Sequence, residues 1–292
     1  MSSSVRTTPL AGFAFLLAAA AAGQTPAGQQ PAGQQPADKP AKVTEWPAPK
    51  PEDRDRLPGL YGQLKKDNEA LRKEGRDALI AIGDAAVPFL FQQVGDKEAP
   101  VNTEVFTVLD KITGPQHASL LAKELGKKGK LELRKYLFGR LCRFVDPELK
   151  ATLTGGLKDK EESIVFHSTL GLAALRELSA LEPLLEACRT DWNGVRAEVA
   201  AVLPAARCEQ CGKAVAELIA KGKPPVQAAG LRLMRYVATP PQAAMVKTYL
   251  RAEDFVVKKE AINAMRVING MEPIENLDAF QATKMAEEWQ NK

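Results

Sequence analysis

An imperfect unit of about thirty residues recurs from roughly residue 67 to the C-terminus, and it narrows the fold more than any other feature. Clear copies close on Ala78-Leu79-Ile80-Ala81-Ile82-Gly83, on Val108-Leu109-Asp110-Lys111-Ile112-Thr113-Gly114 and on Ala264-Met265-Arg266-Val267-Ile268-Asn269-Gly270. Looser copies are Leu141-Cys142-Arg143-Phe144-Val145-Asp146, Leu175-Arg176-Glu177-Leu178-Ser179, Ala205-Ala206-Arg207-Cys208 and Tyr236-Val237-Ala238-Thr239. The residues before the turns stand at 82, 112, 145, 178, 207, 238 and 268, separated by 30, 33, 33, 29, 31 and 30 positions. A period of this length marks stacked supersecondary units, each burying its apolar flank against its neighbours.

Each unit reads as two amphipathic helices. In the first, Leu71, Ala78, Leu79 and Ile82 share a face of a helix ended by Gly83, a residue type that tolerates a left-handed cap. Residues 85–94 follow as its partner, with Val87, Leu90, Phe91 and Val94 at helical spacing and Pro88 in the first turn. The later pairs fall at 104–112 and 116–125, 131–145 and 147–157, 164–178 and 181–188, 195–206 and 212–220, 226–237 and 241–250, and 255–268 and 277–289. Leu57, Leu60, Tyr61 and Leu64 predict a capping helix ahead of the first pair. Apolar residues are 45% of the chain but aromatics only 6%, which suits close helix packing, and no stretch alternates long enough for a strand. The expected fold is all-α: an α-α superhelix of about seven helical hairpins.

The string Leu79-Ile80-Ala81-Ile82-Gly83-Asp84-Ala85-Ala86-Val87-Pro88-Phe89-Leu90 resembles the HEAT-repeat pattern, particularly the short bacterial variety also found in phycobilisome lyases. Leu172-Ala173-Ala174-Leu175-Arg176-Glu177-Leu178 followed by Pro183-Leu184-Leu185-Glu186-Ala187 looks like a shortened copy. The resemblance covers about residues 67 to 292. Arg207 departs from it, standing where an apolar residue closes the helix, and the sixth unit lacks the turn glycine. It implies a HEAT/armadillo-type solenoid whose second helices line a concave groove, and most such proteins act as scaffolds or recognise other proteins. It implies no reaction, because the fold serves many unrelated roles.

The N-terminus carries a different kind of signal. Arg6 supplies a positive region, residues 10–22 are an apolar run, and Ala20-Ala21-Ala22 offers small residues for cleavage. Residues 1–23 are therefore expected to be a signal peptide, exporting the protein to the periplasm or beyond. The run is short for a bilayer span, and no stable membrane insertion is expected after cleavage. Residues 24–56, with two copies of Ala-Gly-Gln-Gln-Pro and then Pro47, Pro49 and Pro51, read as a disordered tether ahead of the solenoid at 57–292. Trp46 within it is expected to be incidental, with docking onto the folded body as the alternative.

Candidate sites are few. Cys208-Glu209-Gln210-Cys211 is the sharpest motif: in an exported chain a disulfide is the first expectation, ahead of unpaired thiols, half a zinc site or redox chemistry. Cys142 and Cys188 read as small core hydrophobes, and His117 and His167 as structural. Trp192 and Trp289, the latter with Met285 one turn back, are expected to cap the core. Lys123, Lys127, Lys128, Lys130, Arg134 and Lys135 form a basic cluster, read as a solvated surface or else an anionic docking patch. Gln92, Gln93, Lys123, Lys150, Glu186, Arg189, Glu217, Lys247 and Arg251 are polar positions on the second helices available for partner contacts.

The net charge of +4 falls to +3 without a leader whose only charged residue is Arg6, too little to impose a polyanionic partner. Aromatics are not interleaved with the lysines as single-strand nucleic-acid binding needs, so no nucleic acid is expected. No phosphate loop, nucleophile motif or metal-ligand run is present, so neither cofactor nor metal is expected. The function expected is exported, non-catalytic protein binding or scaffolding. The alternatives are an enzyme-associated subunit or lyase-like chaperone, and an envelope-anchored structural protein.

Overall fold

The computed structural model describes residues 41–126 and 130–291. The expected leader, the tether up to residue 40, and Lys127 and Lys128 of the basic cluster lie outside the described residues. Among the described residues there are fifteen α-helices and no strand. A single helix, α1 (Pro51–Leu64), precedes seven hairpins: α2 (Glu69–Ile82) with α3 (Val87–Gln93), α4 (Ala99–Ile112) with α5 (Ala118–Leu125), α6 (Leu131–Leu141) with α7 (Lys150–Gly156), and α8 (Glu162–Ala174) with α9 (Leu181–Thr190). The array continues through α10 (Trp192–Val202) with α11 (Glu209–Ala220) and α12 (Pro224–Val237) with α13 (Ala243–Lys247), ending in α14 (Phe255–Ile268) with α15 (Ala279–Gln290). The expected seven pairs and their capping helix are all present.

Local chemistry sets the ends. Asn68 caps α2 by accepting from the amides of Ala70 (2.9 Å) and Leu71, and Asp191, Asp254 and Asp278 cap α10, α14 and α15 in the same way. Gly83 (φ 72°) and Gly270 (φ 76°) reverse the chain after α2 and α14, in the left-handed region where a Cβ is penalised. The equivalent reversals after α6 and α8 fall on Val145 (φ 49°) and Arg176 (φ 66°). Those helices stop at Leu141 and Ala174, about a turn earlier than the periodicity predicts, because the chain is already turning. Six of the seven corners then contain a short 3₁₀ turn: Gly83–Ala86, Pro115–His117, Pro147–Leu149, Leu178–Ala180, Leu203–Ala206 and Pro240–Gln242.

The apolar stripes meet in one continuous core. Leu79 and Leu90 of the first hairpin, Leu109 and Leu121 of the second, Leu141 and Leu153 of the third and Leu170 and Leu184 of the fourth are all fully buried, and Val199, Val215, Leu231 and Ile262 continue the series. Packing is hairpin to hairpin: α2 on α4, α6 on α8, α8 on α10, α12 on α14. Trp289 and Met285 of α15 rest half-buried against this core at its C-terminal end, consistent with a cap.

One irregularity matters. α12 packs on α9 and α11, reaching past the first helix of the fifth hairpin, so α10 and α12 do not lie flank to flank. Gly230 permits this close approach, since a Cβ there would stand 1.9 Å from Ile219 Cγ2. The space left beside α10 becomes the largest cleft among those described below.

The tether ends sooner than the composition suggests. Pro51 is the first residue of α1, so residues 51–56, expected in the disordered stretch, are helical. Proline at this position lacks only a donor that the helix could not use.

Candidate functional site

Residues 41–50 form an extended strap laid across the corners of the first three hairpins. Lys42 pairs with Glu148 (2.6 Å) and Asp146 (3.4 Å) at the third corner, and the Val43 amide donates to the Gln116 carbonyl (3.0 Å) at the second. Trp46 stacks on His117 (centroids 5.3 Å apart, 20° between planes) and meets Phe91 edge-on at 6.2 Å. The seat is rigid. His117 is buried, its Nδ1 accepts from the Gly114 amide (3.0 Å), and its Nε2 therefore carries the proton that bonds Asp84 Oδ2 (2.9 Å). Trp46 is thus a docking residue rather than an incidental aromatic, and His117 holds the place where it lands.

Two grooves open beside these corners. One, of about 290 Å³, lies between α5 and α7 and is lined by Ser119, Lys123, Asp146, Glu148, Leu149 and Thr152; the strap's Lys42 stands at its acidic edge. Its counterpart between the fourth and fifth hairpins, about 310 Å³, is lined by Leu178, Glu182, Ala214, Glu217 and Leu218. Leu178 is 46% exposed there, large for a leucine beside two carboxylates.

The cleft beside α10 is larger, about 530 Å³, and lies between α10, α12 and the 270–275 loop that follows α14. The Asn263 side chain fixes that loop by bonding both the amide (2.7 Å) and the carbonyl (3.1 Å) of Ile274. Trp192 stands in the wall with the guanidinium groups of Arg232 and Arg235 at 5.3 and 5.5 Å from its ring centre. Both arginines bond the buried Glu260, Arg232 at 3.1 Å, and Arg232 also donates to the Cys188 carbonyl at the end of α9 (3.0 Å). Arg207 donates to the carbonyls of Tyr236 (3.2 Å) and Arg235 (3.3 Å), closing the end of α12. That is why a cation occupies the position where the repeat pattern expects an apolar residue. Trp192 itself lines the cleft, inside the array, so it does not cap the core as expected.

A smaller pocket of about 160 Å³ holds His167, which bonds Glu198 at 2.6 Å and lies over Gly139, together with Tyr136, Arg140 and Arg143. The hydrogen bond from His167 holds the Glu198 carboxyl below its ordinary range, against the opposing effect of burial. Burial, reinforced by Asp110, pushes the Tyr136 phenol up, so this tyrosine stays protonated.

The cysteines are not joined. All four are free; Cys208 Sγ accepts from the Cys211 amide (3.1 Å), acting as the cap of α11, while the Cys211 side chain is buried in the core. Cys208 and Cys211, expected as a disulfide, are free thiols in this structure, one sulfur capping α11 and the other packed in the core. Burial pushes the thiols of Cys142, Cys188 and Cys211 up to about 12, Cys211 aided by Cys208, so they stay neutral near pH 7. No group of three or more histidine, cysteine or acidic side chains suited to a metal is present among the described residues.

The basic positions are largely engaged inside the fold. Lys130 donates to the carbonyls of Gln92 (3.1 Å) and Val94 at the end of α3; Arg134 pairs with Asp159, and Lys135 with Glu161 (3.1 Å) and Glu132 (3.3 Å). On the second helices, Lys150 pairs with Glu177 (2.7 Å) and Arg189 with Glu186 (2.7 Å). Lys123, Lys247 and Arg251 take no ion-pair partner among the described residues. The strap, the cleft and the 270–275 loop were not legible as sites, although the lone Trp46 beside Lys42 and the misplaced Arg207 were their signals.

No known family's sequence pattern matches the chain, and no curated protein matches it by sequence. Solved structures with related helix arrangements include human deoxyhypusine hydroxylase in complex with glycerol, at 15% identity and a TM-score of 0.35, covering 81% of this chain and 96% of that one. An engineered protein solved by a structural genomics consortium aligns at 16% identity and a TM-score of 0.34, covering 81% and 72%. Likenesses this distant carry no argument about activity, and the HEAT-like all-helical fold rests on the hairpins themselves.

Proposed function

We propose that this chain is an exported, non-catalytic α-solenoid that binds an extended segment of a protein partner along the corners of its repeats. One observation carries the reading: the chain already binds such a segment, its own residues 42–46, through a main-chain bond, a stacked indole and a lysine between two carboxylates. Repeating units offer the same kind of surface more than once. The groove at Leu178, Glu182, Ala214, Glu217 and Leu218 presents exposed apolar surface and paired acids beyond the strap's reach. It suits a partner segment carrying a lysine or arginine next to an apolar residue. Export is supported by the N-terminal pattern at Arg6 and residues 10–22, and the short bacterial HEAT relationship by the 79–90 string.

Affinity capture from the exporting compartment, with residue-specific crosslinking from position 178, tests the binding. The partner crosslinks to the parent protein and is weakened at least tenfold when Glu182 and Glu217 are both replaced by lysine, at unchanged helix content. A partner indifferent to that double replacement overturns the assignment of the groove. Fractionating the cell tests export, with recovery in the cytoplasm alone refuting it, and sequencing the mature N-terminus tests cleavage, with an intact Met1 favouring the envelope-anchored alternative.

A further inference from the structure

The cleft beside α10 has chemistry that the strap-type grooves lack. We infer that it is a binding site for an organic carboxylate carried on an apolar or aromatic body. The argument starts from charge. Arg232 and Arg235 share one carboxylate, Glu260, and both that carboxylate and Arg235 are almost fully buried, 5% and 3% exposed at the side chain. Arg207 bonds two backbone carbonyls and pairs with no carboxylate among the described residues. At the mouth Arg196 pairs with Glu275 across 79 residues of sequence (3.1 Å), and Glu272 is the one further acid in the lining. Three guanidinium groups, of Arg196, Arg207 and Arg235, thus line the cavity with two carboxylates, Glu272 and Glu275, while Glu260 behind the wall is shared by Arg232 and Arg235. A buried cation without full compensation is costly, and a bound anion relieves it.

The second observation is geometric. Arg235 is one of the lining residues, and its buried Nε takes no hydrogen-bond partner from the protein. Guanidinium N–H groups fit the two oxygens of a carboxylate, and charge-assisted bonds of this kind are the strong ones. The remaining lining is largely apolar and includes Ala197, Ala200, Pro204, Val267 and Met271 with Trp192. They favour an apolar body behind the charge, and the glutamates at the mouth disfavour a multiply charged anion such as a phosphate monoester. At about 530 Å³ the cleft is of the size that small ligands or a terminal dipeptide fill. The Arg196–Glu275 pair ties α10 to the 270–275 loop across the entrance, so its strength sets how readily the site opens.

Such a carboxylate comes either from a free small acid or from the C-terminus of a polypeptide, and the test separates the two. The full-length protein is titrated with 3-phenylpropionate, with its amide, and with an acetylated tripeptide ending in phenylalanine, free or amidated at the C-terminus. The readout is the indole N–H resonance of Trp192, assigned with Trp192→Phe. Saturable binding of the free acid marks a small-molecule source; saturable binding of the free peptide alone marks a polypeptide source. Either supports the inference, provided the amide is weaker by about tenfold or more. Arg207→Gln is expected to weaken the carboxylate about tenfold, and Glu275→Gln, which removes a negative charge at the rim, to tighten it. No saturable shift with either acid, or equal binding of acid and amide, overturns the inference. Glu275→Gln that fails to tighten binding does the same, and it serves alone if Arg207→Gln does not fold. Replacing Glu182 and Glu217 by lysine leaves this titration unchanged, so failure of the partner groove and failure of the cleft are told apart.

Discussion

Replacing Trp46 with alanine removes the main anchor of the strap while leaving every helix intact. An indole buries roughly 150–250 Å² when covered, and at about 25 cal/mol per Å², with part of this ring still wet, its loss comes to about 3 kcal/mol. The stack on His117 and the edge contact with Phe91 are the specific part of that figure. Lys42 adds little, since its ammonium is half exposed and screened. The strap lies outside the helical core, so the loss acts first on local opening rather than on global unfolding. At 1.4 kcal/mol per factor of ten, the Val43 amide, bonded to the Gln116 carbonyl, exchanges its hydrogen about a hundredfold faster in Trp46→Ala. Trp46→Phe keeps most of the stack and stays within about tenfold of the parent. Trypsin reports the same event as faster cleavage after Lys42. Unchanged Val43 exchange in Trp46→Ala would refute the reasoning, because the strap would then be held by something other than the ring.

Four further outcomes are expected. The Glu198 carboxyl titrates below its ordinary range, so its stabilisation is present above about pH 4.5 and lost as pH falls through the lower folded value; Glu198→Gln flattens the melting temperature against pH in that acid range, and an unaltered slope contradicts the assignment. Gly230→Ala forces a methyl into Ile219 and lowers stability by about 1–3 kcal/mol, read by urea unfolding; a neutral result means α12 does not approach α11 so closely. Arg176→Gly relieves a left-handed residue on an exposed corner and raises stability by about 0.5–1 kcal/mol; a lower melting temperature argues against that turn. Under native conditions a thiol reagent labels Cys208 alone at an appreciable rate, because the other three are buried and protonated; rapid reaction of three or four thiols refutes the packing.

The period of the apolar stripe was legible because helix burial is periodic by construction, and it located all seven hairpins, with the start of α4 the widest miss, five residues late. What it missed lies where backbone and charge override the stripe. At Val145 and Arg176 the chain leaves the helix before the apolar pattern ends, since a positive φ is a property of the corner rather than of the side chain occupying it. The strap escaped because composition alone cannot separate a free proline-rich segment from one held down at a few points. Trp46 needs a receptor, and His117, its receptor, lies 71 positions along the chain, more than two periods away.

The charged residues carry a second, longer pattern that reads as noise until the hairpins are stacked. Taken singly, the lysines and arginines at 123–135 look like a surface patch. Their partners lie about one repeat away: Arg76 with Glu104 is 28 residues apart, His117 with Asp84 33, Arg134 with Asp159 25, His167 with Glu198 31 and Arg232 with Glu260 28. Side chains from adjacent first helices or corners meet at that separation because a unit is about that long. In a solenoid, stability is a sum of unit terms and nearest-neighbour interface terms. These pairs belong to the interface terms, which is why they follow the period without showing any local motif. Opposite charges recurring one repeat apart therefore mark cohesion between units. Where two arginines share one carboxylate, as Arg232 and Arg235 share Glu260, and a third, Arg207, bonds only carbonyls, cations outnumber carboxylates, and that imbalance is what an outside anion would meet.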